Sequence, residues 1–135
     1  MLPRMRTDPR EIAAIFIGGM IGALARGFLT ESWGVEAGAW PWATFAVNIV
    51  GAFLLGYFVT RMRERLSVST YGRPFIGTGV CGALTTFSAM QLELLDMIEV
   101  GEYGLAVAYA GASVALGLLA VALSSGLVRR ARLSL

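Results

Sequence analysis

Histidine and lysine are absent from the 135-residue chain, and cysteine occurs once, as Cys81. A single thiol excludes an internal disulfide, and without histidine there is no cluster that could hold zinc, iron or copper. Nothing pairs a nucleophile with a base, which argues against an enzyme. Charge is scarce too: 15 % of residues are charged against 56 % hydrophobic, a balance too apolar for an ordinary soluble core. The chain reads as one all-α integral membrane domain, residues 1–135.

Four stretches approach or exceed the roughly 20 mostly apolar residues that a helix needs to cross the ~30 Å hydrocarbon layer. They are about 12–30, 40–60, 74–98 and 103–128. The links between them are short and carry the charge: Glu31 and Glu36, then Arg61, Arg63, Glu64, Arg65 and Arg73, then Glu99 and Glu102. The opening MLPRMRTDPRE has too little apolar length before Glu11 for a signal peptide and is expected to be a short basic tail.

All eleven basic residues are arginine. Arg4, Arg6 and Arg10 precede the first span, Arg61, Arg63, Arg65 and Arg73 lie in the second link, and Arg129, Arg130 and Arg132 follow the last span, ten in all on one side of the membrane. The first and third links have none. The positive-inside rule therefore predicts cytoplasmic termini. The basic balance reports topology and contact with anionic lipid and gives no argument for nucleic acid.

The spans are not uniformly apolar. In EIAAIFIGGMIGALARGFLT, Gly18 and Gly22 have the four-residue spacing that lets helix backbones approach in lipid. Arg26 near the outer end of that span either snorkels, serves packing or functions. In WPWATFAVNIVGAFLLGYFVT, Trp40 and Trp42 suit the membrane interface. Asn48 must hydrogen-bond in hydrocarbon; Thr44 sits one turn away and Gly51 leaves space. The amide is either a helix-to-helix glue or a pathway donor.

The third span, RPFIGTGVCGALTTFSAMQLELLDMIE, holds Gly77, Gly79 and Gly82 and then Thr85, Thr86 and Ser88. Weak helix formers followed by hydroxyls predict an interrupted helix near mid-membrane, where irregular backbone survives only if protein buries it or it lines a cavity or an ion. A kinked helix whose hydroxyls bond back to their own carbonyls is the other reading. Beyond it, Phe87, Met90 and Glu93 share a helical face. In the fourth span Tyr109, Ser113 and Gly117 fall at steps of four, either a polar track for an anion or a packing seam. Asn48, Tyr109, Ser113 and the Thr85–Ser88 group are neutral donors, suited to an anion that must bind and still leave. The ring edge of Phe87 suits one as well. A proton-coupled antiporter would need an acid on its path, and only Glu93 is deep enough.

GGMIGALARGF, WATFAVNIVGAFLLG and GVCGALTTFSAMQLE, in that order across nearly the whole chain, resemble the Fluc (CrcB) family of fluoride channels. The resemblance implies a four-helix subunit with a broken third helix, paired antiparallel with a second subunit in a prokaryotic plasma or inner membrane. It implies passive fluoride export through two pores and a structural, non-transported sodium ion, the cofactor Na+, on the backbone carbonyls of Gly82 and Thr85. The anion pathway would comprise Asn48, Phe87, Met90, Tyr109, Ser113, Thr44 and Ser88, with Arg26 and Glu93 structural. Met90 stands where the family usually has a second phenylalanine, and Gly117 where a serine often continues the track.

A homodimer of opposed copies requires a chain that inserts both ways, whereas the arginine tally predicts one orientation. The expectation is therefore an oppositely oriented paralogue as partner, the alternative being a homodimer formed by a minority of reversed copies. Two other functional classes are a small multidrug-type antiporter acting through Glu93 and a non-conducting partner subunit.

Overall fold

A computed structural model describes residues 8–33, 36, 38–64 and 70–133. Arg4, Arg6 and Arg65 lie outside them. Among the described residues the regular structure is all helical, without strands. Helix α1 is Pro9–Ser32 and α2 is Trp42–Glu64; a π-helical segment, Pro74–Cys81, continues into the single turn α3, Gly82–Leu84; α4 is Phe87–Glu99 and α5 is Tyr103–Leu133. Four stretches are long and apolar enough to cross a membrane, the third made of the π segment, α3 and α4 together. The last helix continues to Leu133, past the apolar stretch that ends near residue 128, because helical hydrogen bonding does not stop where hydrocarbon does.

Local chemistry sets the ends. The Asp8 side chain accepts from the Arg10 amide at 2.9 Å and Pro9 fills the first helical position, so α1 starts capped. Between α4 and α5 the chain turns through Gly101 at φ 87°, with the Glu102 amide donating to the Met97 carbonyl at 2.8 Å. Such a left-handed closing residue favours glycine.

Two close pairings build the body. Along α1, Gly18 and Gly22 lie flush against the π segment: a Cβ at Gly18 would collide with the Phe75 carbonyl oxygen, and one at Gly22 with that of Val80. Gly79 reciprocates, since its Cβ would stand 2.8 Å from the Ile15 carbonyl oxygen. Helix α2 packs along α5, where Gly56 accommodates Ser124 and Val121, and Thr60 donates to Ser125 at 3.1 Å. Much of the outer surface of the spans is apolar, with Phe28 73 % and Val107 75 % exposed, as a surface solvated by lipid tails allows.

Candidate functional site

The third span loses its helix at Thr85 and Thr86. Thr85 has φ −75° and ψ 150°, Thr86 has φ −144° and ψ 115°, and α4 begins at Phe87. Each threonine settles part of the local bonding. The Thr85 hydroxyl donates back to the Cys81 carbonyl at 3.1 Å, and the Thr86 hydroxyl accepts from the Ala89 amide at 3.1 Å, capping α4.

Asn48 holds this interruption from α2. Its Nδ2 donates to the Thr86 carbonyl at 3.0 Å and its Oδ1 accepts from the Thr86 amide at 2.8 Å. A primary amide presents one donor and one acceptor in the spacing of a peptide group, so it can satisfy both backbone groups of one extended residue. The space beside Gly51 is taken by the Thr85 methyl, which a Cβ at Gly51 would strike. Thr44 does not bond Asn48; it donates to Glu93 Oε1. Three positions spaced along one face of α2 thus meet three points of the third span: Thr44 with Glu93, Asn48 with Thr86, Gly51 with Thr85.

Helix α5 adds the opposite wall. The fully buried Tyr109 donates to Glu93 Oε2 at 2.6 Å, so the two carboxylate oxygens are shared between hydroxyls from α2 and α5. One turn further along α5, the Ser113 hydroxyl is buried with no hydrogen-bond partner among the described residues. Tyr109 is framed by Trp40 at 5.4 Å and Phe45 at 6.2 Å between ring centroids.

The other expected residues are placed less centrally. Ser88 is exposed and sits 3.2 Å from the Thr86 hydroxyl. Phe87 and Met90 share a face by spacing, yet Phe87 is 72 % exposed while Met90 is buried with Met97, Ala106 and Tyr109. A three-residue step leaves about 60° between two side chains on a helix, enough here to separate a ring outside the chain from a thioether inside it. Gly117 faces open space. Arg26 donates through Nε to the Ala83 carbonyl at 3.2 Å, so its charge lies against the turn before the interruption.

The carbonyls nominated for a cation fit that use. The amides of Thr86 and Ala89 would close helical bonds on Gly82 O and Thr85 O, but they go to Asn48 Oδ1 and to the Thr86 hydroxyl. Among the described residues no hydrogen bond ends on either carbonyl. Two hard oxygen donors are left free beside the interruption, the ligand type that hard cations take.

Sequence reasoning missed the meeting of Glu93 with Thr44 and Tyr109. The spacing put Glu93 on the face of Phe87 and Met90, but no periodicity within one helix says which neighbours it will touch.

These features define a small four-span membrane protein with a cluster of polar groups bonded to one another between α2, the third span and α5. A family model described as CrcB-like protein, Camphor Resistance (CrcB), matches residues 13–125, and the chain belongs to that family. It is 58 % identical over 126 residues, 93 % of this chain and 96 % of the other, to a Mycobacterium bovis protein named Fluoride-specific ion channel FluC 1. It is 41 % identical over 117 residues, 83 % of this chain and 91 % of the other, to the Bacteroides fragilis Fluoride-specific ion channel FluC. It is 37 % identical over 122 residues, 90 % of this chain and 87 % of the other, to the Nocardia farcinica Fluoride-specific ion channel FluC 2.

Proposed function

We propose that the chain is a subunit of a fluoride-selective channel that lets the anion leave the cytoplasm passively. The observation that carries the reading is the polar cluster between α2, α4 and α5, one turn along α5 from which the buried Ser113 hydroxyl has no partner among the described residues. A buried donor without a partner costs about 1–3 kcal/mol, and a passing anion would relieve that cost. The names of the relatives support fluoride as the ion.

In this reading Thr44 and Tyr109 are donors held in place by Glu93, and an arriving anion takes their hydroxyls as the carboxylate releases them. The carboxylate occupies the donors without closing the path permanently, because repulsion from the anion favours its withdrawal. Conduction needs this balance between binding and release. A sodium ion on the carbonyls of Gly82 and Thr85 is the proposed structural cofactor, and its positive charge would hold the interruption in register. The freed state of both carbonyls supports it.

The proposed assembly is an antiparallel dimer. One chain supplies two carbonyls to the cation and leaves the Phe87 ring uncovered, so both would be completed by a second subunit. Ten arginines on one side favour cytoplasmic termini and an oppositely oriented paralogue; the numbered names FluC 1 and FluC 2 among the relatives accord with that. Fluoride-electrode recording of efflux from liposomes, with this chain alone and with a co-expressed paralogue, tests the reading. Efflux only from the mixed preparation supports the heteromer, and full efflux from this chain alone, with termini tagged on both faces, removes it.

A further inference from the structure

We infer that the groove between α2 and the π segment, at the end carrying Arg63 and Arg73, binds one anionic phospholipid. The two guanidinium groups would take its phosphate, and an acyl chain would lie over Leu55, Val59 and Gly77. The leaflet to which this applies rests on the topology proposed above.

The groove encloses about 340 Å³ and has both arginines in its lining. Arg63 lies in the last turn of α2, is exposed, and makes no hydrogen bond or ion pair with a described residue. Arg73 donates from Nη2 to the Met62 carbonyl at 2.7 Å. That bond fixes its guanidinium on the α2 side and leaves most of its five N–H donors uncommitted. Both cations thus line one mouth, and no acid is among the described residues that line it.

Below the mouth the α2 wall becomes apolar, while the facing π segment contributes an open position at Gly77 and the hydroxyl-bearing Thr78. Val59 and Leu55 lie four and eight residues before Arg63, one and two turns deeper on the same face of α2. Across the groove, Gly77 follows Arg73 by four residues, and a Cβ placed on it would meet nothing within 4 Å. Leu55 is 40 % exposed. A free anion would need the cationic mouth but not the apolar floor, and an apolar partner would need the floor but leave two charges unanswered. A phospholipid answers both, with a phosphate that suits the planar fork of arginine. Basic pockets between spans on the cytoplasmic side are where anionic headgroups bind.

The test uses the full chain in phosphatidylcholine vesicles doped with phosphatidylglycerol bearing a photoreactive group in its acyl chain. Label is expected on peptides containing residues 55–63 and 73–78. Arg63→Gln should reduce it about five- to tenfold, given ~1 kcal/mol per basic residue at such a surface, while Arg63→Lys keeps most of it. Arg130→Gln, at the same end but on α5, should leave the label unchanged. Excess inorganic phosphate should not compete. Uniform labelling of all four spans, equal labelling of Arg63→Gln, displacement by inorganic phosphate, or exclusion of label by the second subunit would each overturn the site. Fluoride efflux from the same vesicles, prepared with the co-expressed paralogue as well as without it, separates the two readings: intact efflux without groove label removes the lipid site alone, and groove label with no efflux from either preparation removes the channel alone.

Discussion

Replacing Asn48 by alanine would strip both partners from the backbone of Thr86. The amide now receives the 2.8 Å bond to Oδ1 and the carbonyl the 3.0 Å bond from Nδ2; with a methyl group there, neither finds another described side chain in place. Hydrogen bonds between membrane helices are worth about 1–2 kcal/mol in model peptides, and an orphaned buried group costs about 1–3 kcal/mol. Taking ~1–2 kcal/mol for each of the two groups, the ordered interruption loses about 2–4 kcal/mol, or roughly 30- to 1,000-fold in its population. Thr86 also caps α4, so the loss would spread to the start of that helix and to the free carbonyls beside it. The assay is initial fluoride efflux from liposomes, with membrane voltage clamped by potassium and an ionophore, on protein that elutes as a single species. Efflux should fall by at least an order of magnitude. Native rates from well-behaved Asn48→Ala protein would refute the idea that this amide holds the interruption on which the pathway depends.

Ser113→Ala should separate conduction from stability: removing an unpartnered buried hydroxyl leaves the melting temperature in detergent unchanged or raised, while fluoride efflux falls about tenfold for ~1.4 kcal/mol of lost anion binding. An equal loss of both would mean that the hydroxyl is a packing group. Glu93→Gln puts an N–H where Thr44 or Tyr109 now finds an acceptor; a loss of ~1–2 kcal/mol predicts efflux slowed about five- to thirtyfold, still driven by voltage alone. Transport that instead requires a proton gradient and vanishes in this variant would favour the antiporter. Gly18→Ala drives a methyl into the Phe75 carbonyl and should cost about 1–3 kcal/mol, read as a lower melting temperature. Gly19→Ala, with nothing within 4 Å of its Cβ, is its control.

The four spans were legible because hydrocarbon thickness demands long apolar runs, and that signal needs no knowledge of neighbours. The small-residue spacing of Gly18 and Gly22 was legible for the same reason, although not the surface it would meet. The polar site was legible as a set of residues and not as a set of bonds. Thr44 and Asn48 share a helical face, so pairing between them was the natural sequence-level reading; the structure sends one to Glu93 and the other to Thr86, because partners on another span offer better-placed acceptors and donors. Glu93 looked like a structural residue at the end of an apolar face. Its contact with Tyr109 depends on how α4 and α5 are turned relative to each other, and that rotation is a product of packing. Phe87 and Met90 make the same point from the other side: sequence periodicity put them together, and the position of α5 decided which one was covered.

The most direct test of the central claim is fluoride efflux from liposomes containing this chain, with the paralogue where one is needed, under a clamped voltage and no proton gradient. Rapid voltage-driven release of fluoride, with chloride retained, is the predicted result. No release, or release that appears only when protons are driven the other way, would contradict a channel built on this cluster of donors.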